Sequence, residues 1–474
     1  MEPENVQIEE KKGRTYVQWM VAFAANTTLL TNGMLGGWVA PMMKTLQSPE
    51  SPAGQPLTDR EISLVASFIS IAACLGVPMF AYLVDIIGRK KSILIIAILQ
   101  ALCWIINIYS STTTSLLVGR FFAGLSAGGC YNVIPTYVRE ISQDNIRGIL
   151  GSLLVLMQNM GYLIMFALGF YLNYYVVLWI SVWIPIITTV TMLFAPEAPA
   201  FLVKKGLTDQ AASTLSNLRG IDIKDKIIQK EIDFMKNEET VYKSIPKITY
   251  LNIWQNKAWR RGCFLNIALM TTRTLSGTFA LLTFTPAILA ASGITVNPEA
   301  QSLSIPAVTI LASFVSMSCV EKFGRKPILL STFIIATLSL STLATTMLLQ
   351  TYGKSSPVWI PVVAIIMYQC AYAGGISPMP YIIMAEMFNF QIRAKVMGIF
   401  CTYAYFLCFL QLVAFTSISK VLGAHNVFYC YALINILGAS VCAFLLKETK
   451  GKTVDDIEMD LIGRKELLKI NVIS

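Results

Sequence analysis

Two short patterns occur twice in this 474-residue chain, at corresponding places. Asp85-Ile-Ile-Gly88-Arg89-Lys90 and Glu321-Lys-Phe-Gly324-Arg325-Lys326 both read acid-x-x-Gly-Arg-Lys, and Glu140 precedes Arg147 by the same seven residues that separate Glu386 from Arg393. The chemistry open to such groups is ion pairing, because a carboxylate and a guanidinium form charge-assisted hydrogen bonds that can close and release. Gly88 and Gly324 permit a tight turn between neighbouring helices. The expectation is a gate, in which Asp85, Glu140, Glu321 and Glu386 pair with Arg89, Arg147, Arg325 or Arg393 across an interface. The plainer reading is that the basic residues anchor short loops. No loop gathers a nucleophile, a base and oxyanion donors, so an enzyme is not expected. With the single His425 in a loop and ten cysteines that form no Cys-x-x-Cys pair, neither a metal centre nor another cofactor is expected.

The elements that must hold these patterns are long and apolar. The chain is 55% hydrophobic and 14% charged, against about 25% charged in soluble domains. Its apolar blocks reach the roughly 20 residues that a helix needs to cross a bilayer. They fall at 16–40, 61–83, 92–110, 116–138, 149–171, 176–194, 262–290, 302–320, 327–349, 358–385, 396–419 and 426–446. The expected class is therefore an all-α membrane protein with twelve transmembrane helices in two six-helix halves. Five segments follow: an N-terminus (1–15), a first half (16–194), a helical loop (195–261), a second half (262–446) and a tail (447–474). No cleavable signal is expected, since the first fifteen residues are polar and carry Glu2, Glu4, Glu9, Glu10, Lys11, Lys12 and Arg14.

A net charge of +10 could point to nucleic acid, but its distribution points to a membrane. Lys11, Lys12, Arg14, Arg89 to Lys91, Arg139, Arg147, the basic residues from Lys204 to Arg261, Lys322, Arg325, Lys326, Arg393, Lys395 and those of the tail fall on one side. Lys44, Arg60, Lys354 and Lys420 fall on the other. By the positive-inside rule both termini and the 195–261 loop are expected in the cytoplasm. Within that loop, Thr208-Asp209 can start a helix that runs to Arg219 and stops at Gly220, and Ile228, Ile232 and Met235 share one face of a second helix.

Repeated halves of this kind rock about a midplane site in alternating-access carriers. Gly374, Gly375, Pro378 and Pro380 interrupt the tenth span and are its expected hinge, where freed carbonyls need a protein interior or a water-lined cavity. No acidic residue stands near the centre of any span. Proton coupling normally uses one at that depth, so facilitated diffusion is expected, with sodium coupling through carbonyls and hydroxyls left open.

The motifs match a known family. Ala81 to Lys90, Gly119-Arg120-Phe-Phe-Ala-Gly124, Pro135-Thr-Tyr-Val-Arg139-Glu140 with Arg147-Gly148, Pro196-Glu197-Ala-Pro199 and Lys447-Glu448-Thr449-Lys450-Gly451 resemble signatures of the sugar porter branch of the major facilitator superfamily. Gly37-Trp38-Val39-Ala40-Pro41 and Gln158-Asn159-Met160-Gly161 look most like the insect facilitated trehalose transporters. The resemblance implies the major facilitator fold and a substrate site formed by Gln158, Asn159, Arg273, Thr274, Ser276, Phe279, Thr309 and Tyr381. It also marks departures. Arg273, Thr274 and Phe279 stand where the family's seventh helix carries two glutamines and an asparagine, Thr309 and Ala404 replace asparagines, and Tyr381 replaces a tryptophan. Amides suit sugars because each both donates and accepts, so these changes put hexose or trehalose specificity in question. Ala200 and Lys447 likewise replace a signature arginine and proline.

Arg273 lies about 18 Å along a helix from Arg261 at 1.5 Å per residue, at a depth where a charge needs water or a partner. It either projects into the cavity to bind an anionic solute, or bonds carbonyls of the broken helices or snorkels to a surface. Three functions follow as alternatives: a uniporter of trehalose or a hexose, a carrier of a sugar acid or other organic anion, and a non-transporting sugar sensor. The expected setting is the plasma membrane, with a small-molecule solute and lipid as partners and no nucleic acid. Asn26-Thr27-Thr28 is a glycosylation sequon placed inside the first span, where no modification is expected.

Overall fold

The computed structural model describes residues 14–244, 250–292, 303–354, 357 and 359–462, and among them the chain forms helices and turns with no strand. A helix stands at each of the twelve expected positions. The first half holds Tyr16–Gly37, Asp59–Ile86, Arg89–Ile108, Thr113–Ile141, Asp144–Tyr171 and Tyr174–Phe194. The second half holds Lys257–Thr274 with Thr278–Ala291, then Ser304–Phe323, Arg325–Thr351, Trp359–Ala371 continued by Met379–Met387, Phe390–Leu422 and Ala424–Phe444. Below they are the first to twelfth helices.

Among the described residues, nine helical segments are long and apolar enough to cross a membrane. The first and fourth helices fall outside that set because they are rich in Gly, Thr and Asn, and the described apolar part of the eighth is only Ser304–Val315. Their small residues let backbones approach, which is how helices associate in lipid without a hydrophobic drive. A Cβ at Gly124 would strike the Ile69 carbonyl, and one at Gly128 would lie 2.5 Å from the Val77 nitrogen. Gly33 and Gly161 meet in the same way between the first and fifth helices.

Local signals start the helices. Thr58 and Glu61 form a reciprocal capping box on the second helix, Thr112 and Ser115 do so on the fourth, and the Asn256 side chain accepts from the Ala258 and Trp259 N–H groups at the start of the seventh. Breaks matter as much as starts. Gly277, at φ +109°, divides the seventh helix. A π-helical turn over Tyr372–Ile376 divides the tenth at the expected glycines and prolines, and the Ser377 N–H reaches back to the Tyr372 carbonyl at 2.8 Å. His425 lies inside the start of the twelfth helix rather than in the preceding loop.

The middle segment contains the two helices read from its spacing, as Thr208–Arg219, closed by left-handed Gly220, and Lys226–Ser244. Ala212, Leu215, Ile228 and Ile232 bury one another, with Met235 against them. Arg219 fixes this pair to the first half, donating to the Ile141 carbonyl at 2.8 Å and pairing with Glu231 at 3.2 Å. Asn26 is fully buried, with its amide on the Ala22 carbonyl.

Replacing Gly128 with leucine should separate the second and fourth helices and cost about 1–3 kcal/mol. It would show as a lower apparent melting temperature of the detergent-solubilised protein. Gly151→Ala, where an added Cβ meets nothing within 4 Å, should leave that temperature unchanged or raise it slightly.

Candidate functional site

Among the described residues, side-chain hydrogen bonds between the halves fall along two seams. Between the second and eleventh helices, Ser63 donates to the Leu412 carbonyl, Ser70 to Cys408 Sγ at 3.3 Å and Cys74 to the Thr402 carbonyl at 3.4 Å. An Asp59–Lys420 ion pair of 2.9 Å lies at the far end of that seam, and Tyr405 reaches the Ala127 carbonyl at 3.4 Å near its middle. Asn159 of the fifth helix donates to Ser313 of the eighth at 3.3 Å, forming a second bridge at mid-length. Beyond this level the facing helices run on towards the arginine-rich turns. Tyr82, Ile149, Val315 and Ile399 are exposed there, and a Cβ added at Gly148, Gly151 or Gly398 would meet no atom within 4 Å. The halves are bonded at one end and present exposed side chains and open space at the other.

Arg273 sits where the two broken helices meet, in the last turn of the seventh before its break. Its Nε donates to the Ser377 carbonyl at 3.1 Å and its Nη2 to Ser377 Oγ at 3.4 Å. The guanidinium lies 4.8 Å from the centre of the Tyr381 ring and 5.9 Å from that of Tyr372. Among the described residues no carboxylate pairs with it. A lone cation at this depth costs about 3 kcal/mol or more, and the carbonyl bond with two aromatic faces offsets part of that. Tyr131, 53% exposed on the fourth helix, stands within electrostatic reach. Arg120 also lacks a carboxylate but lies 1% exposed inside the first half, donating to the Leu35 carbonyl at 2.6 Å over the Trp38 ring.

The other expected substrate residues spread outward from Arg273. Ser276 bonds the Arg273 carbonyl and the Tyr368 hydroxyl, while Thr274 is fully buried beside the break. Phe279 packs on the core, and Thr309 bonds the Ile305 carbonyl of its own helix. Tyr381 faces Arg273 directly. Gln158 accepts from Asn32 at 3.1 Å within the first half, next to Asn159 on the seam. The expected hinge residues Gly374, Gly375, Pro378 and Pro380 frame the π-helical turn and the carbonyl that Arg273 takes, with open space beside Gly374.

The expected gate residues form two matching nests. In the first half, Arg89 meets Glu140 at 2.8 Å, and Glu197 accepts the N–H groups of Arg89, Lys90 and Ala198, each at 2.9 Å. In the second, Arg325 meets Glu386 at 2.8 Å, and Glu448 accepts from the backbone of Arg325, Lys326, Thr449 and Lys450 at 2.9 to 3.1 Å. Asp85 pairs with Lys204 at 3.1 Å, Arg147 donates to the Ser142 carbonyl, and Arg393 donates to the Phe388 carbonyl. The Glu321 side chain lies outside the described residues. These contacts lie within each half, not across the interface, because the carboxylates that Arg89 and Arg325 meet stand on the next helix of their own bundle. Gly88 and Gly324 take φ +99° and +90°, and a Cβ on either would crowd the Glu197 or Glu448 carboxylate. Burial alone would raise the Glu448 carboxyl, but the four N–H groups outweigh it and hold the group below its ordinary range.

Sequence reasoning had no role for Glu197 and Glu448 beyond their signatures, and did not find Tyr131, Tyr372, Ser377 or the Asp59–Lys420 latch. The equal placement of Glu197 and Glu448 after the sixth and twelfth helices was the available signal for the first pair.

The family model described as "Sugar (and other) transporter" matches residues 16–461. Similar proteins include the facilitated trehalose transporter Tret1 of Aedes aegypti, 25% identical over 452 residues that make up 95% of this chain and 56% of that protein. The chain thus spans about half the length of that relative. Tret1 of Polypedilum vanderplanki is 24% identical over 95% of this chain and 89% of its own. Among solved structures, the inward open conformation of the xylose transporter XylE from E. coli superposes with a TM-score of 0.79 at 16% identity, covering 93% of this chain and 99% of that one. The proton:xylose symporter XylE bound to 6-bromo-6-deoxy-D-glucose gives a TM-score of 0.70 at 16% identity, with the same coverage. At such identity the likeness is one of fold.

Glu448→Ala should take the carboxylate acceptor from four backbone N–H donors and cost about 1–2 kcal/mol, reduced because the carboxylate is partly solvated. Since the folded-state value is depressed, this stability is present above the ordinary value of about 4.3 and is lost as pH falls through the lowered one. Melting curves of both proteins should therefore differ at neutral pH and converge on acidification.

Proposed function

We propose a sugar carrier, starting from the fact that the chain belongs to the sugar transporter family whose model spans residues 16–461. It moves trehalose or a hexose down its gradient by alternating access, with the six-helix halves at 16–194 and 262–446 rocking about the space beside Arg273. The observation that carries this reading is the asymmetry of the seams: bonded from Asp59–Lys420 to mid-length, with exposed side chains and open space beyond. A rocking carrier caught at one end of its cycle has that shape.

Gln158, Asn159, Arg273, Thr274, Ser276, Phe279, Thr309 and Tyr381 are assigned to the substrate, and the π-helical turn at Gly374 to Pro380 to the hinge. Asp85, Arg89, Glu140, Arg147, Glu321, Arg325, Glu386 and Arg393 are assigned to the gate, each nest holding its own half rigid while the ends part and meet. The basic end faces the cytoplasm, on the weight of Lys and Arg there, with both termini and the 195–261 and 447–474 segments on that side. The setting is the plasma membrane. Uniport is favoured by the lack of any Asp or Glu near the middle of a span.

The test is uptake of labelled trehalose and glucose into oocytes expressing the chain, at two external pH values and with or without sodium. Saturable uptake that is independent of pH and sodium, and that stops when the two sides are equal, is the expected result. Accumulation against the sugar gradient, or uptake that needs a proton or sodium gradient, would overturn uniport.

A further inference from the structure

We infer that the cavity between the halves takes a solute bearing a carboxylate beside its hydroxyls, an acidic sugar, whose anionic group Arg273 holds. The inference rests on the carrier reading and adds an acidic sugar to the neutral ones proposed above. Arg273 is 8% exposed at mid-depth, and its described bonds use one N–H each of Nε and Nη2, both on Ser377. A guanidinium has five N–H donors, so Nη1 and half of Nη2 have no described protein acceptor. Arg89, Arg219 and Arg325 are instead paired with Glu140, Glu231 and Glu386. Arg120 is sealed within the first half by Trp38. Arg273 alone of these stands beside the opening between the halves.

The surroundings complete the match. Ser377 and the faces of Tyr381 and Tyr372 hold the guanidinium plane in place, and a fixed plane with free edge donors is the geometry that takes a carboxylate through two parallel bonds. Tyr131 and Tyr405, with the Asn159–Ser313 bridge, bring hydroxyl and amide groups to the same level for the hydroxyls of a sugar ring. Bound anion would neutralise the cavity, so net transport would move one negative charge per cycle and register as current.

The test uses oocytes expressing the full chain, with labelled glucuronate and labelled glucose, for the native protein, Arg273→Gln and Arg273→Lys. Expected is saturable glucuronate uptake with outward current. The ratio of glucuronate to glucose uptake should fall about tenfold or more in Arg273→Gln and be partly kept in Arg273→Lys, which retains charge but not the paired bonds. Glucose uptake by the native protein that glucuronate neither shares nor inhibits would overturn the inference while leaving the carrier reading intact. If neither sugar enters, the carrier reading fails, and the purified protein decides the site. A melting temperature raised by glucuronate in the native protein but not in Arg273→Gln upholds the binding assignment, and no rise in the native protein overturns it.

Discussion

The bond from Arg273 to the Ser377 carbonyl is the contact on which the centre of this molecule depends. In hydrocarbon a freed backbone carbonyl and a lone cation are each costly, and neither can turn to solvent as it would in a soluble protein. The π-helical turn at Tyr372–Ile376 disturbs the regular ladder of the tenth helix, and the break at Gly277 leaves the seventh helix ending beside it. Placing the arginine of one broken helix on the carbonyl of the other reduces both costs together. Turns of this type recur at functional sites, where a helix must bend without unravelling. The centre of the second half can therefore be irregular while the helices around it remain long and closely packed.

Rigidity at the arginine-rich end comes from a different device, made twice. Glu197 and Glu448 each bring a carboxylate to the first N–H groups of a helix, where the backbone carries partial positive charge and has no internal partner. The neighbouring arginine then ties that turn to the fourth or the tenth helix. Because each nest closes on its own half, the proposed rocking would move the two bundles as bodies, with its cost falling on the seams. Those carry single hydroxyl, thiol and amide bonds and one solvent-exposed ion pair, each modest enough to break and remake.

Much of this architecture was legible in the sequence because its cause is local. Apolar length marked the helices, Gly374 to Pro380 marked the interruption in the tenth, and Gly220 marked the end of a loop helix. Pairings were less legible. Spacing shows that Arg89 and Arg325 will meet a carboxylate, but whether that partner lies in the same half or the other depends on how helices pack. Tyr131 and Tyr372 were hidden for another reason: a tyrosine in an apolar run looks the same whether it fills a core or faces a cavity. The break in the seventh helix was missed because one glycine inside an apolar span carries little signal by itself.

Rocking about the Arg273 level is the central claim, and distances between paired spin labels test it most directly. One pair would sit at the arginine-rich end, on Ile149 and Val315, and the other beyond the latch, on Thr58 and Val421. Addition of a transported solute should shorten part of the first distance distribution while lengthening part of the second, in the same proportion of molecules. Distances that stay fixed at both ends, or that change at one end without the other, would contradict rigid-body rocking of the two halves.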